Sequence, residues 1–399
     1  MAEQTQQTRR TPMTGGGPPQ APEAPAVRLF YIDNLRILLT VLVVLHHVAL
    51  TYGNIPMWFY TEPAQDASGT ALDLLVVFNQ AFFMGFFFLI SGYFVPGAHD
   101  RRGGRAFFRA RLVRLGIPLL LFLVLLRPFV TAYIYLEYAS EAPYWLFYIF
   151  SWDPGPMWFV ETLLVFCLGY LLIERFRRPR AAEVGQATAP APLRADTPRP
   201  LPLLLAAIGF VIGLAVLTYL WRIPVPIGTY WPVVGLPTPF FLPQYVILFG
   251  VGVLAYRRGW AERIPTWAGW AGLAAAVAAA LAHVPLSGWL GEATMQPGSW
   301  QSLVDALWEQ TYAVGIIVAL IVLFRARVNR QGPLARFLSD NAYAVYFLHP
   351  VVLVGLGVAL GGWEATAVAK FAVVGLLALA LCWGAAHALR RLPGATRVF

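Results

Sequence analysis

The chain has 399 residues, of which 58% are hydrophobic and 12% charged, and a mean hydropathy of +0.62. A soluble globular protein averages roughly 45–50% apolar and about 25% charged residues. The composition therefore excludes a water-soluble enzyme of this length, excludes disorder, and fits a chain whose solvent is mostly lipid.

Residues 1–27 are polar and rich in Gln, Pro, Thr and Gly, which predicts a disordered cytoplasmic tail. No cleavable leader is expected, because the first apolar run begins late, is long and lacks a small-residue cleavage site. Ten apolar runs follow, at about 32–52, 71–96, 111–136, 156–174, 202–221, 239–257, 266–284, 305–325, 338–360 and 366–390. Each is long enough to cross a bilayer, so the fold class is all-α, a polytopic membrane protein of about ten transmembrane helices. Residues 28–391 form the membrane domain. Within it 175–200 is a Pro/Ala/Arg-rich cytoplasmic linker separating four helices from six, and 392–399 is a C-terminal cytoplasmic tail. Twenty-six of the 29 Lys and Arg residues fall in connections on one side of ten crossings; the exceptions are Arg127, Arg222 and Lys370. By the positive-inside rule both termini are cytoplasmic, and the net charge of +9 reports topology and not a nucleic-acid partner. Cys167 and Cys382 lie inside apolar runs, without a disulfide or zinc spacing.

The connections 53–70, 137–155, 222–238 and 285–304 carry many aromatics and few cations, among them Trp58, Tyr60, Tyr144, Trp152, Tyr230 and Trp300. An interfacial aromatic belt accounts for most of them. A lining that stacks on sugar rings is the sharper alternative, since aromatic faces combine apolar area with a polar edge.

Ionisable groups within spans are costly and usually face a cavity or a partner. The first run contains Arg36 and, eleven residues later, His47. At about 100° per residue they lie about 20° apart around the helix and about 16 Å apart along it, so one stripe carries a cation near the inner end and an imidazole toward the outer end. Adjacent His46 points about 100° away, which makes the pair a poor chelate, and no metal site is expected. Asp73, Arg127, Glu161 and the pair Asp305/Glu309 add polar groups at comparable outer depth. Glu161 is the acid placed to orient His47. The acids at 305 and 309 are also explained as residues near a helix N-terminus. Tyr346, His349 and Pro350 occupy the middle of the ninth run; His349 alone reads as a hydrogen-bonded structural histidine.

These features resemble the acyltransferase-3 family of integral-membrane O-acyltransferases. The family's Arg or Lys followed by ten residues and a His is matched by Arg36 and His47, and its Ser-Gly-aromatic sequence by Ser91, Gly92 and Tyr93. Arg111 and Arg114, with Pro118 following, are similar to its Arg-x-x-Arg entry to the third helix. The run Pro156, Trp158, Phe159, Glu161 resembles its Trp-aromatic segment, and Tyr346, His349, Pro350 its late helix. Together the matches run from about 28 to 360, and the chain looks nearest to the group that modifies periplasmic glucans by succinylation.

The resemblance implies transfer of an acyl group, acetyl or succinyl, from cytosolic acyl-CoA as co-substrate to a hydroxyl of an exported glycan. It implies that Arg36, Arg111 and Arg114 hold the donor, which suits the planar, permanently charged fork of arginine. It also implies that His47 is catalytic, as general base or as transient acyl carrier. His46, Asp73, Ser91, Arg127, Tyr346 and His349 are supporting candidates. The pantetheine arm is expected to run along a corridor from Arg36 to His47. A transporter or flippase for a polar lipid or glycan is the alternative; against it, the sequence shows no inverted repeat or paired broken helices. A scaffold without turnover leaves the intramembrane charge without a purpose. Acyl-CoA, a glycan acceptor and the bilayer are the expected partners.

Overall fold

A computed structural model describes residues 29–176, 199–232 and 234–399. The expected tail at 1–27 and most of the 175–200 linker lie outside the described residues. The described residues form ten spans long and apolar enough to cross a membrane: Phe30–Tyr52, Gly69–Arg102, Gly104–Tyr138, Tyr144–Phe176, Pro200–Arg222, Pro239–Arg258, Thr266–Met295, Trp300–Arg327, Pro333–Ala359 and Ala367–Arg390. Hydrocarbon offers the backbone no hydrogen-bond partner, so each run closes its own N–H and C=O groups into helix.

The third and fourth spans depart from the expected simple helices. The third starts at Gly104, well before residue 111, and contains π-helical turns at Leu112–Gly116 and Phe122–Leu126. Each precedes a proline, Pro118 or Pro128, which has no N–H for the preceding turn and crowds its carbonyls. The carbonyls so released find side-chain donors: Tyr343 Oη–H donates to Arg114 O (3.0 Å), and Tyr148 Oη–H donates to Leu123 O. The fourth span is broken between the helix Tyr144–Phe150 and the helix Trp158–Phe176. Arg127, only 1% exposed, fills that break. It donates to Asp153 O (3.1 Å), Tyr148 O (3.1 Å), Ser151 O and Ser151 Oγ (2.9 Å), and lies over the Tyr148 ring. Arg127 is therefore a clamp on the end of a short helix, where a cation complements the dipole.

The first span is central. It packs against the second, eighth, ninth and tenth. Of its most apolar stretch 61% is buried, against 11% for the seventh span, which lies at the periphery. The second span crosses the sixth at backbone contact: a Cβ on Gly92 would stand 2.2 Å from Phe249 O, and one on Gly252 would stand 2.1 Å from Leu89 O. Gly92 of the Ser-Gly-aromatic motif thus serves helix packing, and Ser91 beside it is half-buried.

Asp305 and Glu309 do more than complement a helix dipole. Arg222, 2% exposed, donates to Asp305 Oδ2 (3.3 Å) and Glu309 Oε2 (2.5 Å). The chain of bonds continues from Gln310 Nε2 to Glu309 Oε1 (2.5 Å) and from Gln244 Nε2 to Gln310 Oε1 (3.0 Å), joining the fifth, sixth and eighth spans.

The connection 53–68 is tied down at several points. Glu62 N–H donates to Thr51 O (2.7 Å), and Lys370 pairs with Glu62 (2.5 Å). The Tyr60 ring fills the space that a side chain on Gly357 would need, 2.4 Å from a Cβ there. Asp66 accepts from Ala367 N–H (2.9 Å) and Ser68 N–H (2.8 Å), and so caps the tenth span. Asp73 accepts from Asn54 N–H (2.7 Å) and Nδ2 (2.8 Å), fixing the end of the first span. It is a turn anchor, remote in role from the histidines.

Two outcomes follow. Arg222→Met leaves two carboxylates without their cation in a dry setting and should cost about 3–5 kcal/mol, read as a lower thermal midpoint in detergent; adding Asp305→Asn and Glu309→Gln should recover much of it. The Ser68 hydroxyl, then the Ala367 and Ser68 N–H groups, hold the Asp66 carboxyl below the usual aspartate range. Its contribution to stability is therefore complete above the unfolded pKa, about 4, and is lost as pH falls through the lower folded value. Asp66→Asn should flatten the stability profile in that acid range, measured by melting at a series of pH values.

Candidate active site

His47 faces the ninth span. Its ring centroid lies 5.0 Å from that of His349 and 4.0 Å from that of Trp58, and Trp58 stacks nearly parallel to His349 at 6.1 Å. His47 Nδ1 lies 2.8 Å from Val43 O, one turn earlier. A carbonyl only accepts, so Nδ1 carries the hydrogen and Nε2 keeps its lone pair. His349 repeats the arrangement: Nδ1–H donates to Tyr346 O (2.7 Å). His349 is fully buried, and its Nε2 has no hydrogen-bond partner among the described residues. The indole Nε1 of Trp58 is likewise buried without a partner there. Two base-form nitrogens and one unused donor are thus gathered around a half-buried imidazole.

His46 turns the other way, as its helical phase requires. Its ring meets Phe83 at 5.0 Å and stands edge-on to His47 at 5.4 Å. Among the described residues no group of three or more His, Cys, Asp or Glu side chains is placed to hold a metal ion.

The expected contact from Glu161 to His47 is not made. Val43 O already occupies the imidazole Nδ1, and no hydrogen bond between described residues joins the two side chains. Glu161 stands half-buried in the first turn of the helix Trp158–Phe176. It is Pro156, five residues earlier, that reaches the histidine cluster, because its carbonyl accepts from Tyr346 Oη–H.

At the other end of the first span, Arg36 and Arg114 line one cavity of about 180 Å³ together with Asp33, Asp340, Arg390 and Phe399. Arg36 also approaches Asp33 at 3.6 Å. Arg111 is absent from this lining; its guanidinium lies over the Phe107 ring at 5.3 Å. Helical phase separates the two arginines, since residues three apart around π-helical turns no longer share a face.

The ninth span links the two sites. Tyr343, Tyr346 and His349 recur every three residues; the Tyr343 and Tyr346 rings stack at 6.4 Å, and Tyr346 lies 5.8 Å from His349. Tyr343 lines the cavity, whereas Tyr346 and His47 do not. A file of aromatic rings on the ninth span thus runs from the cavity that Arg36 lines to His349, the neighbour of His47.

Three of these groups carry no distinguishing signal in the sequence. Trp58 was one of many belt aromatics, and nothing local marks it. Arg390 counted only toward topology. Phe399, assigned to a tail, is 8% exposed and packs its ring 4.9 Å from that of Phe347, because residues 392–399 fold back through a 3-10 turn at Ala395–Arg397.

Comparison with known proteins adds an independent finding. A family model described as an acyltransferase domain matches residues 29–387. Curated relatives called glucans biosynthesis protein C, from Salmonella paratyphi B, Salmonella heidelberg and Salmonella schwarzengrund, are 29% identical over a stretch covering 35% of this chain. That stretch spans 38% of each relative's own length. No solved structure matches the chain.

The bond from Tyr343 to the Arg114 carbonyl gives a direct test of the local geometry. Tyr343→Phe should cost about 1 kcal/mol, seen as a lowered melting point. In a Pro118→Ala background, where a backbone N–H returns to that turn, the same change should cost clearly less.

Proposed function

Because the chain belongs to the acyltransferase family whose model it matches across residues 29–387, we propose that it transfers an acetyl or succinyl group from a cytosolic acyl-CoA to a hydroxyl of an exported glycan. It is a multi-pass membrane protein; in this reading it lies in the plasma membrane with both termini and the arginine-lined face toward the cytosol. The name of the glucan-biosynthesis relatives supports a glycan acceptor. The observation that carries the mechanism is the tautomer of His47, whose Nε2 lone pair is held free by the bond from Nδ1 to Val43 O.

In this mechanism Arg36 and Arg114 receive the phosphates of the donor at the cytosolic cavity, with Arg111 adding charge nearby. Tyr343 and Tyr346 turn aside so that the pantetheine arm reaches the histidines. The acceptor hydroxyl attacks the thioester carbonyl, and His47 Nε2 takes its proton as the C–O bond forms. The C–S bond then breaks, and the proton passes from His47 to the leaving thiolate. The buried indole N–H of Trp58 is available to the carbonyl oxygen as it gains charge. His349 backs the imidazole of His47 and sets its orientation. Glu161, without a hydrogen bond to His47, is assigned no step in this mechanism.

Purified protein with radiolabelled acyl-CoA and a glucan acceptor tests this. Acceptor-dependent release of CoA is expected, reduced about a hundredfold or more in His47→Ala. Unchanged transfer by that variant removes the mechanism. Uptake of glycan into proteoliposomes without CoA release replaces the enzyme with the transporter.

A further inference from the structure

We propose that Arg390 is a phosphate-binding residue of the donor cavity, forming with Arg36 and Arg114 a three-guanidinium site for the nucleotide end of CoA. The proposal rests on the acyl-CoA reading above and extends it to a residue from the opposite end of the chain.

An arginine in the last turn of a helix at the basic face has an ordinary explanation, since it follows the positive-inside rule and complements the helix dipole. That explanation requires only a guanidinium in water, and the next residue, Arg391, is exposed in that way. Arg390 differs. Its Nε is buried and has no hydrogen-bond partner among the described residues. Its Nη1 reaches Asn341 Oδ1 only at 3.4 Å, a long bond for a charged donor. Asn341 is itself buried and held by its Nδ2 donating to Phe337 O (2.7 Å), so it is a fixed rest for the guanidinium.

The setting supplies the ligand's chemistry. Three guanidiniums, with the side-chain carboxylates of Asp33 and Asp340, border one cavity of about 180 Å³. A phosphate accepts from several guanidinium forks at once, so three arginines bordering a common, partly enclosed space suit an anionic group. The enclosure is built by the folded-back segment after the tenth span, which sets Phe399 against Phe347 and 6.0 Å from Tyr343. Arg390, Tyr343 and Phe399 thus line the same cavity as Arg36 and Arg114.

The test is equilibrium binding of CoA and of pantetheine, which lacks the nucleotide phosphates, to full-length protein in neutral detergent. Arg390→Gln should weaken CoA binding about tenfold or more and leave pantetheine binding unchanged. Arg391→Gln should leave both unchanged. Arg390→Lys, which keeps the charge and loses the fork, should fall between, and it carries the test if the glutamine variant does not fold. Equal losses in Arg390→Gln and Arg391→Gln reduce the effect to general surface potential and overturn the assignment. So does unaltered CoA binding by Arg390→Gln, with the donor reading left standing. Wild-type protein that ignores CoA but captures phosphatidylglycerol vesicles assigns the arginines to a lipid headgroup and overturns both.

Discussion

Inside a hydrocarbon layer, every polar atom must find its partner within the protein. This constraint orders the whole structure. The prolines of the third span release carbonyls that tyrosines from the fourth and ninth spans then occupy. Arg222 is there to hold two acids, and Arg127 to close the end of a broken helix. Arg127, Asp305 and Glu309, which the sequence alone places among polar groups at one depth, are spent on holding helices together.

The same constraint gives meaning to groups that remain open. Among the described residues, three buried nitrogens without a hydrogen-bond partner belong to His46, Trp58 and His349, the rings around His47. Leaving them so costs stability, of the order of 1–3 kcal/mol each, which is hard to account for in a merely structural core. In the proposed reaction, the carbonyl and hydroxyl would supply missing acceptors and donors. The chemistry assigned to His47 thus grows from the same accounting that makes Arg127 and Arg222 structural.

The ninth span joins the two ends of the proposed reaction. Its ring file begins at the arginine-lined cavity and ends against His47, with Tyr346 also bonded to the carbonyl of Pro156. Aromatic rings can swing aside without breaking helix backbone bonds, so this file is compatible with the proposed route for a slender arm.

The number of spans, the basic face and the stripe joining Arg36 to His47 were legible in the sequence because they depend on run length, charge placement and the phase of one helix. The acyltransferase resemblance followed from motifs spread along that pattern, and the family match bears it out. Which helix meets which was not legible, since lipid-facing and protein-facing surfaces are equally apolar and hydropathy cannot separate them. For that reason only the tertiary structure placed Trp58 and His349 on His47, withheld Glu161 from it, turned Arg111 toward Phe107 and brought Arg390 and Phe399 to the cavity of Arg36. Periodicity along a chain defines the face of a helix, whereas a site built from the first, ninth and tenth spans depends on how faces pair, and that is settled by close packing between residues hundreds of positions apart.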